Sequence, residues 1–306
     1  MADILTWGAS VVLALQALSS PALDGAFLAM TQLGGEVAFL LLVPLVYWCL
    51  DKRFGMRLAV LFLLSGLVNL WLKAAFNTPR PYQADARVRL IGPAEANASF
   101  PSGHAQATTT AWVALGRRAR RRWLWILGVI LIALVALSRM YLGVHYPPDV
   151  IGGILFGVIA VAIFARVEAP LSARWAALPF GAQIALSIVL APALLIVLVD
   201  RDTVAATATL AGLSTGYAVQ RRWVNFTVGG SAGQRALRYI LGTAGVVAIY
   251  FVLRGAFGAL ADEETTLWYV LRFARYGLVG LWAGGLWPMI ATRIGLAASE
   301  GAKDGG

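Results

Sequence analysis

The sequence predicts an all-α protein, a polytopic membrane bundle of about nine transmembrane helices with an N-terminal interfacial helix, and three observations carry that expectation. The 306 residues are 59% hydrophobic and only 13% charged, with a mean hydropathy of +0.75, so polar surface is too scarce to face water on all sides. Apolar runs long enough to cross a bilayer recur along the whole chain. Basic residues gather in short clusters between those runs.

Taken in order, the first 31 residues contain "ILTWGASVVLALQAL", which is short for a span and is followed by the breaker "SSPALDG", so this segment is expected to lie in the membrane interface. No Lys or Arg precedes it, whereas a secretory signal peptide needs a positively charged front. Spans are expected near 33–51, 55–75, 102–117, 123–140, 148–166, 176–199, 203–219, 237–260 and 267–291. The single cysteine, Cys49, falls inside an apolar run and permits no intramolecular disulfide. With neither a long linker nor an internal repeat, one membrane domain over 1–306 is expected, comprising a core at 20–170 and four additional spans in 171–306.

The net charge of +10 does not point to nucleic acid, because its distribution is topological. One set of connections holds Lys52, Arg53 and Arg57, then Arg117, Arg118, Arg120, Arg121 and Arg122, then Arg166 and Arg174, then Arg221, Arg222, Arg235 and Arg238, with Arg293 and Lys303 at the tail. That set reads as cytoplasmic. The opposite set, including "LSRMYLGVHYPPDVIGG" at 137–153, then faces outward. An ionisable group next to hydrocarbon costs about 2.5 to 3.5 kcal/mol on insertion scales, so charges placed there are expected to face a cavity or a site.

Three outward segments carry chemistry. "KAAFNTPRP" puts Lys73 and Arg80 around a helix exit broken by Pro79 and Pro81. "PSGH" opens a helix at Pro101 and leaves amides of Ser102 and Gly103 free for an anion. The third segment supplies Ser138, Arg139, His145 and Asp149. A Lys, two Arg and a helix N-terminus on one membrane face describe an oxyanion pocket of phosphate size. Both histidines of the chain, His104 and His145, fall in these segments. One imidazole can attack phosphorus while another donates to the departing oxygen, and Asp149, four residues after His145, can orient its ring. The segments contribute only one carboxylate, Asp149, so no metal and no cofactor is expected.

These three segments resemble the signature of the type 2 phosphatidic acid phosphatase superfamily, residue for residue: Lys73, Arg80 and Pro81; Pro101, Ser102, Gly103 and His104; Ser138, Arg139, His145 and Asp149. The resemblance covers about residues 20–170 and implies that His145 is the nucleophile of a phosphohistidine, that Asp149 orients it and that His104 is the acid. It also implies that Lys73, Arg80, Ser102, Gly103 and Arg139 hold the phosphoryl oxygens. Four further spans give an architecture similar to the glucose-6-phosphatase branch.

The expected activity is therefore hydrolysis of a lipid phosphate or diphosphate at the extracytoplasmic face of an integral membrane protein, most simply in a plasma membrane, with lipid as the only partner. Two alternatives stand beside it: a lipid phosphotransferase using the same motifs, and an anion transporter. The latter also accounts for basic residues within spans, Arg254, Arg272 and Arg275. In the hydrolase these three are candidate contacts for a second anionic group of the substrate, set against a plain role in pairing with Asp262, Glu263 or Glu264. "NAS" at 97–99 matches a glycosylation acceptor by triplet alone and is given no weight.

Overall fold

Five helices begin where a short polar side chain covers a free amide of the first turn: Ser20, Ser102, Asp200, Ser231 and Thr265 each accept from a backbone N–H two or three residues on. The computed structural model describes residues 2–300, and Lys303 lies outside them. In chain order the helices are α1 (Ala2–Gln16), α2 (Pro21–Gln32), α3 (Glu36–Leu45), α4 (Lys52–Phe76), α5 (Pro81–Ala84), α6 (Gly103–Ala119) and α7 (Arg122–Tyr141). They continue as α8 (Pro147–Ala177), α9 (Phe180–Ala193), α10 (Arg201–Trp223), α11 (Ala232–Gly258), α12 (Thr266–Leu281) and α13 (Trp287–Arg293). Wider π turns follow α3 at Val46–Leu50 and α12 at Trp282–Leu286. The exception to helix is a pair of two-residue strands, β1 (Phe226–Thr227) and β2 (Ala298–Ser299), joined antiparallel.

Each expected span coincides with a helix, but they differ in length and polarity. Four stretches are long and apolar enough to cross a membrane: Lys52–Ala84, Arg122–Tyr141, Pro147–Ala177 and Ala232–Gly258. A fifth arises if α2 and Glu36–Leu50, bent by 41°, count as one. The others fall short for visible reasons. α9 has 14 residues, and α6 and α10 are rich in threonine. These long apolar helices make the chain an integral membrane protein.

The chain folds as two compact units, with boundaries inside α3, α4 and α8. The first takes residues up to 40 and 64–166. Its packing gathers Tyr141, Leu142 and Val144 with Leu15, Phe27 and Leu28, and Ala105 with Ala136 and Val150. Gly143 has φ +78, and a Cβ there would stand 2.3 Å from the Arg89 carbonyl oxygen, so the turn between α7 and α8 accepts only glycine. The segment expected to be interfacial forms two helices, and α1 docks within this unit. Val12 is fully buried, and the Gln16 side chain donates to the carbonyls of Arg89 (2.8 Å) and Tyr141 (3.0 Å) while accepting from the Arg89 amide (3.0 Å).

The second unit takes residues 41–63 and 167–300 of the described chain. α10 and α12 approach so closely that a Cβ on Gly212 would lie 1.9 Å from the Gly277 carbonyl oxygen. The π turns are satisfied by side chains: Tyr47 Oη donates to Gly284 O (2.8 Å) and Trp48 Nε1 to Ala283 O (2.9 Å). Arg238, read from sequence as a topological charge, is fully buried and donates to the carbonyls of Thr227, Val228, Gly229 and Leu296.

Candidate active site

Four elements of the first unit converge. α4 presents Lys73 from its last turn; the chain then leaves the helix through Asn77 at φ 42 and turns extended at Arg80. The irregular segment 85–102 follows and ends on Ser102, the cap of α6. α7 presents Ser138 and Arg139 at its C-terminal end, and α8 presents Asp149 in its first turn.

The cluster is deeply buried. Arg80, Ser102, Ser138 and His145 are 0% exposed, and Lys73, Arg139 and Asp149 lie below 8%. Burial on this scale demands partners, and among these side chains Arg139 Nε is a buried polar atom without one. Arg80 donates to the carbonyls of Asn97 (2.8 Å), Ala98 (3.3 Å) and Val144 (2.9 Å), and Lys73 to those of Ala98 and Ser99. The Ser102 amide, expected to be free for an anion, is instead taken: its N–H donates to the Asp149 carbonyl (2.9 Å), because the start of α6 is tied to α8. Ser138 Oγ turns back on the Val135 carbonyl (2.7 Å) and so serves its own helix. Gly103 lies at the start of α6 beside Asn69, whose amide donates to Gln106 Oε1 (2.8 Å) and to Pro101 O (3.3 Å). His104 is half-buried on the first turn of α6.

The geometry fixes the proton on His145. Its Nε2 stands 3.4 Å from Arg80 Nη1, and a guanidinium has no lone pair to offer, so Nε2 must present its own. The proton therefore sits on Nδ1. Asp149 Oδ2 lies 3.5 Å from that nitrogen. Ser99 Oγ stands between them, 3.4 Å from Nδ1 and 2.5 Å from Oδ2, accepting from the ring and donating to the carboxylate. Asp149 Oδ2 also takes the Tyr146 amide (2.8 Å), so one carboxylate both caps α8 and orients the imidazole. Burial, followed by the charges of Arg139, Lys73, Arg80 and His104, pushes His145 well below the ordinary histidine value. The ring is neutral at neutral pH, with the Nε2 lone pair turned toward Arg80.

The segments chosen from sequence thus meet in one site, joined by three residues that the motifs do not contain. Ser99 is the first. Glu95 is the second: its carboxylate pairs with Arg80 Nη2 through Oε2 (2.8 Å) and with Arg139 Nη2 through Oε1. Thr31 on α2 is the third, accepting from Arg139 Nη1 (2.7 Å). Ser99 belongs to the "NAS" triplet, which carried no weight as a glycosylation match, yet its hydroxyl is the one at His145 and is fully buried. Arg254, Arg272 and Arg275 belong to the second unit. Arg272 donates to the Arg201 carbonyl (2.7 Å), lies 3.9 Å from Asp202 and sits over Trp268 and Tyr276. Arg275 packs between the rings of Tyr250 and Tyr276, and Arg254 is exposed.

A profile described as the PAP2 superfamily matches residues 54–171, and a second, described as PAP2 superfamily phosphatase, transmembrane extension, matches 204–299. An undecaprenyl-diphosphatase of Sulfolobus acidocaldarius is 36% identical over 106 residues, covering 35% of this chain and 51% of that protein. Sphingosine-1-phosphate phosphatase 1 of Mus musculus is 34% identical over 140 residues, covering 44% of this chain and 32% of that one. The chain thus spans about half the length of the first relative and a third of the second. Among solved structures, Aquifex aeolicus LpxE superposes with a TM-score of 0.48 at 26% identity, over 52% of this chain and 95% of that one. With both profiles of one superfamily matched in order and every residue of its three motifs delivered by a single unit, the chain belongs to the PAP2 superfamily.

Proposed function

We propose that the chain is a metal-independent membrane phosphatase that hydrolyses a lipid phosphate or diphosphate through a phosphohistidine on His145. The observation that carries this reading is the buried, neutral imidazole whose Nε2 lone pair lies beside the Arg80 guanidinium while Nδ1 is held by Ser99 and Asp149. Nε2 attacks phosphorus and the bond to the leaving oxygen breaks; His104 gives that oxygen its proton. His104 then takes a proton from water, whose oxygen attacks the phosphohistidine and releases phosphate, restoring His145. Asp149 balances the positive charge that the ring gains on attack. Lys73, Arg80 and Arg139 supply the cationic surroundings that a metal provides elsewhere, and the Gly103 amide at the start of α6, which Ser102 caps, completes the cradle. A lipid substrate fits an integral membrane chain whose relatives are named for undecaprenyl diphosphate and sphingosine 1-phosphate. The active site faces away from the cytoplasm on the charge argument, in a bundle of about nine spans.

The test uses purified full-length protein in EDTA. Its substrates are a polyprenyl diphosphate, phosphatidic acid, phosphatidylglycerol phosphate, a sphingoid phosphate and a soluble sugar phosphate. Free phosphate is expected from at least one lipid and from none in His145→Ala. A new phospholipid in place of free phosphate makes the protein a transferase. No turnover leaves the transporter, and strict dependence on added magnesium overturns the metal-free reading.

A further inference from the structure

Glu95 holds the two arginines assigned to phosphate. Its oxygens divide between them, Oε2 to Arg80 and Oε1 to Arg139, in the way two oxygens of a phosphoryl group do. The carboxylate also lies outside the arginines it holds: its side chain is 29% exposed, against 1% for Arg80 and 5% for Arg139. Behind it, His145 has no exposed surface. We propose that Glu95 is a tethered competitor for the phosphate seat, an internal anion that closes the site until a phosphate group displaces it.

This inference rests on the phosphatase reading and deepens it into a statement about selectivity. A tethered carboxylate acts at an effective concentration of millimolar order or above, so an anion must bind the arginines better than a carboxylate does in order to enter. A phosphate monoester, with a second charge and a third oxygen, meets that condition; a fatty acid does not. The backbone is arranged for the side chain to leave alone. The carbonyls of Asn97, Ala98 and Ser99 are pinned by Arg80 and Lys73, and the Glu95 carbonyl accepts from Tyr82 Oη (3.3 Å). Displacement therefore requires rotation of one half-buried side chain rather than movement of the segment. Removing the carboxylate leaves two buried guanidiniums short of a counter-charge, which a phosphate then supplies.

Inorganic phosphate is the probe, titrated calorimetrically into full-length protein in detergent, as wild type, Glu95→Gln, Glu95→Asp and Arg139→Ala. If the seat of the wild type is free about a tenth of the time, Glu95→Gln binds phosphate about tenfold more tightly, and KM for the lipid substrate falls with it. Glu95→Asp, charged but on a shorter arm, is expected between the two, and it keeps the test alive should the amide variant misfold. Unchanged or weaker phosphate binding in Glu95→Gln, or in Glu95→Asp if only that variant folds, overturns the proposal and makes Glu95 a positioning residue for the arginines. Failure of the phosphate-site reading looks different: Arg139→Ala then binds phosphate as the wild type does, or none of the four proteins binds it.

Discussion

A serine hydroxyl between a histidine and a carboxylate changes what each can do. At 3.5 Å the direct pairing of His145 with Asp149 is long, and Ser99 bridges it: its hydroxyl accepts from Nδ1–H and donates to Oδ2, reinforcing the tautomer that Arg80 sets at Nε2. A hydrogen bond to a charged group contributes about 1.5 to 3 kcal/mol, so Ser99→Ala is expected to lower kcat about 10- to 100-fold with little effect on KM. Steady-state kinetics check this, and an unchanged kcat returns Ser99 to packing. The same measurement across pH reports on His145. Its depressed value means that the acid limb it sets in kcat/KM lies below the ordinary histidine value of about 6.5. The stability sign follows: below about 6.5 the unfolded chain binds a proton that the folded site refuses, so acidification removes stability. Both histidines, Asp149 and the cationic residues were readable from motif spacing, because the spacing carries the chemistry. Ser99 and Glu95 were not, since both sit in an irregular segment whose path is set by carbonyls bound to Arg80 and Lys73 rather than by periodicity.

Helices were legible from apolar period and caps, while their breaks were less so. The π turns at Val46–Leu50 and Trp282–Leu286 leave no residue signature, because each depends on Tyr47 and Trp48 meeting carbonyls more than 230 residues away. The stretch "SSPALDG" reads as a breaker, yet Ser20 caps a second helix whose Thr31 reaches Arg139. Arg272 and Arg275 illustrate the limit of depth arguments. The expected partners were Asp262, Glu263 and Glu264, but Arg272 lies near Asp202, because α10 and α12 pack on one another along glycines. That packing is itself testable. Replacing Gly212 by Ala gains about 1 kcal/mol of helix propensity, but sets a methyl 1.9 Å from a backbone oxygen that cannot rotate away. Overpacking costs about 1 to 3 kcal/mol, and a backbone clash belongs at the upper end, so Gly212→Ala is expected to lower the unfolding temperature of the detergent-solubilised protein. An equal or higher temperature shows that the helices can separate at no cost.

For the whole molecule, composition alone placed the chain in a membrane, since 59% hydrophobic residues cannot be hidden in a water-soluble core of this length. That residues 41–63 pack with the later part of the chain was not legible, because both ends of this stretch fall inside apolar helices, α3 and α4, where no shift in composition marks them. Charge counting read Lys52 and Arg238 as topological, yet both have internal duties: Lys52 donates to Asn225 Oδ1 (2.8 Å) and the Phe226 carbonyl (2.6 Å), and Arg238 to four carbonyls. A basic residue near a span can serve structure and orientation at once. The central claim remains the covalent one, that the phosphoryl group rests on His145 between cleavage and hydrolysis. Reactions of the intact protein with terminally labelled lipid phosphate, quenched in alkaline detergent, test it most directly, comparing wild type, His104→Ala and His145→Ala. Labelled protein that is stable to base and labile to acid is expected in the first two, accumulating in His104→Ala where hydrolysis is slowed, and absent in His145→Ala. Equal label in His104→Ala and His145→Ala, or label on a residue other than His145, contradicts it.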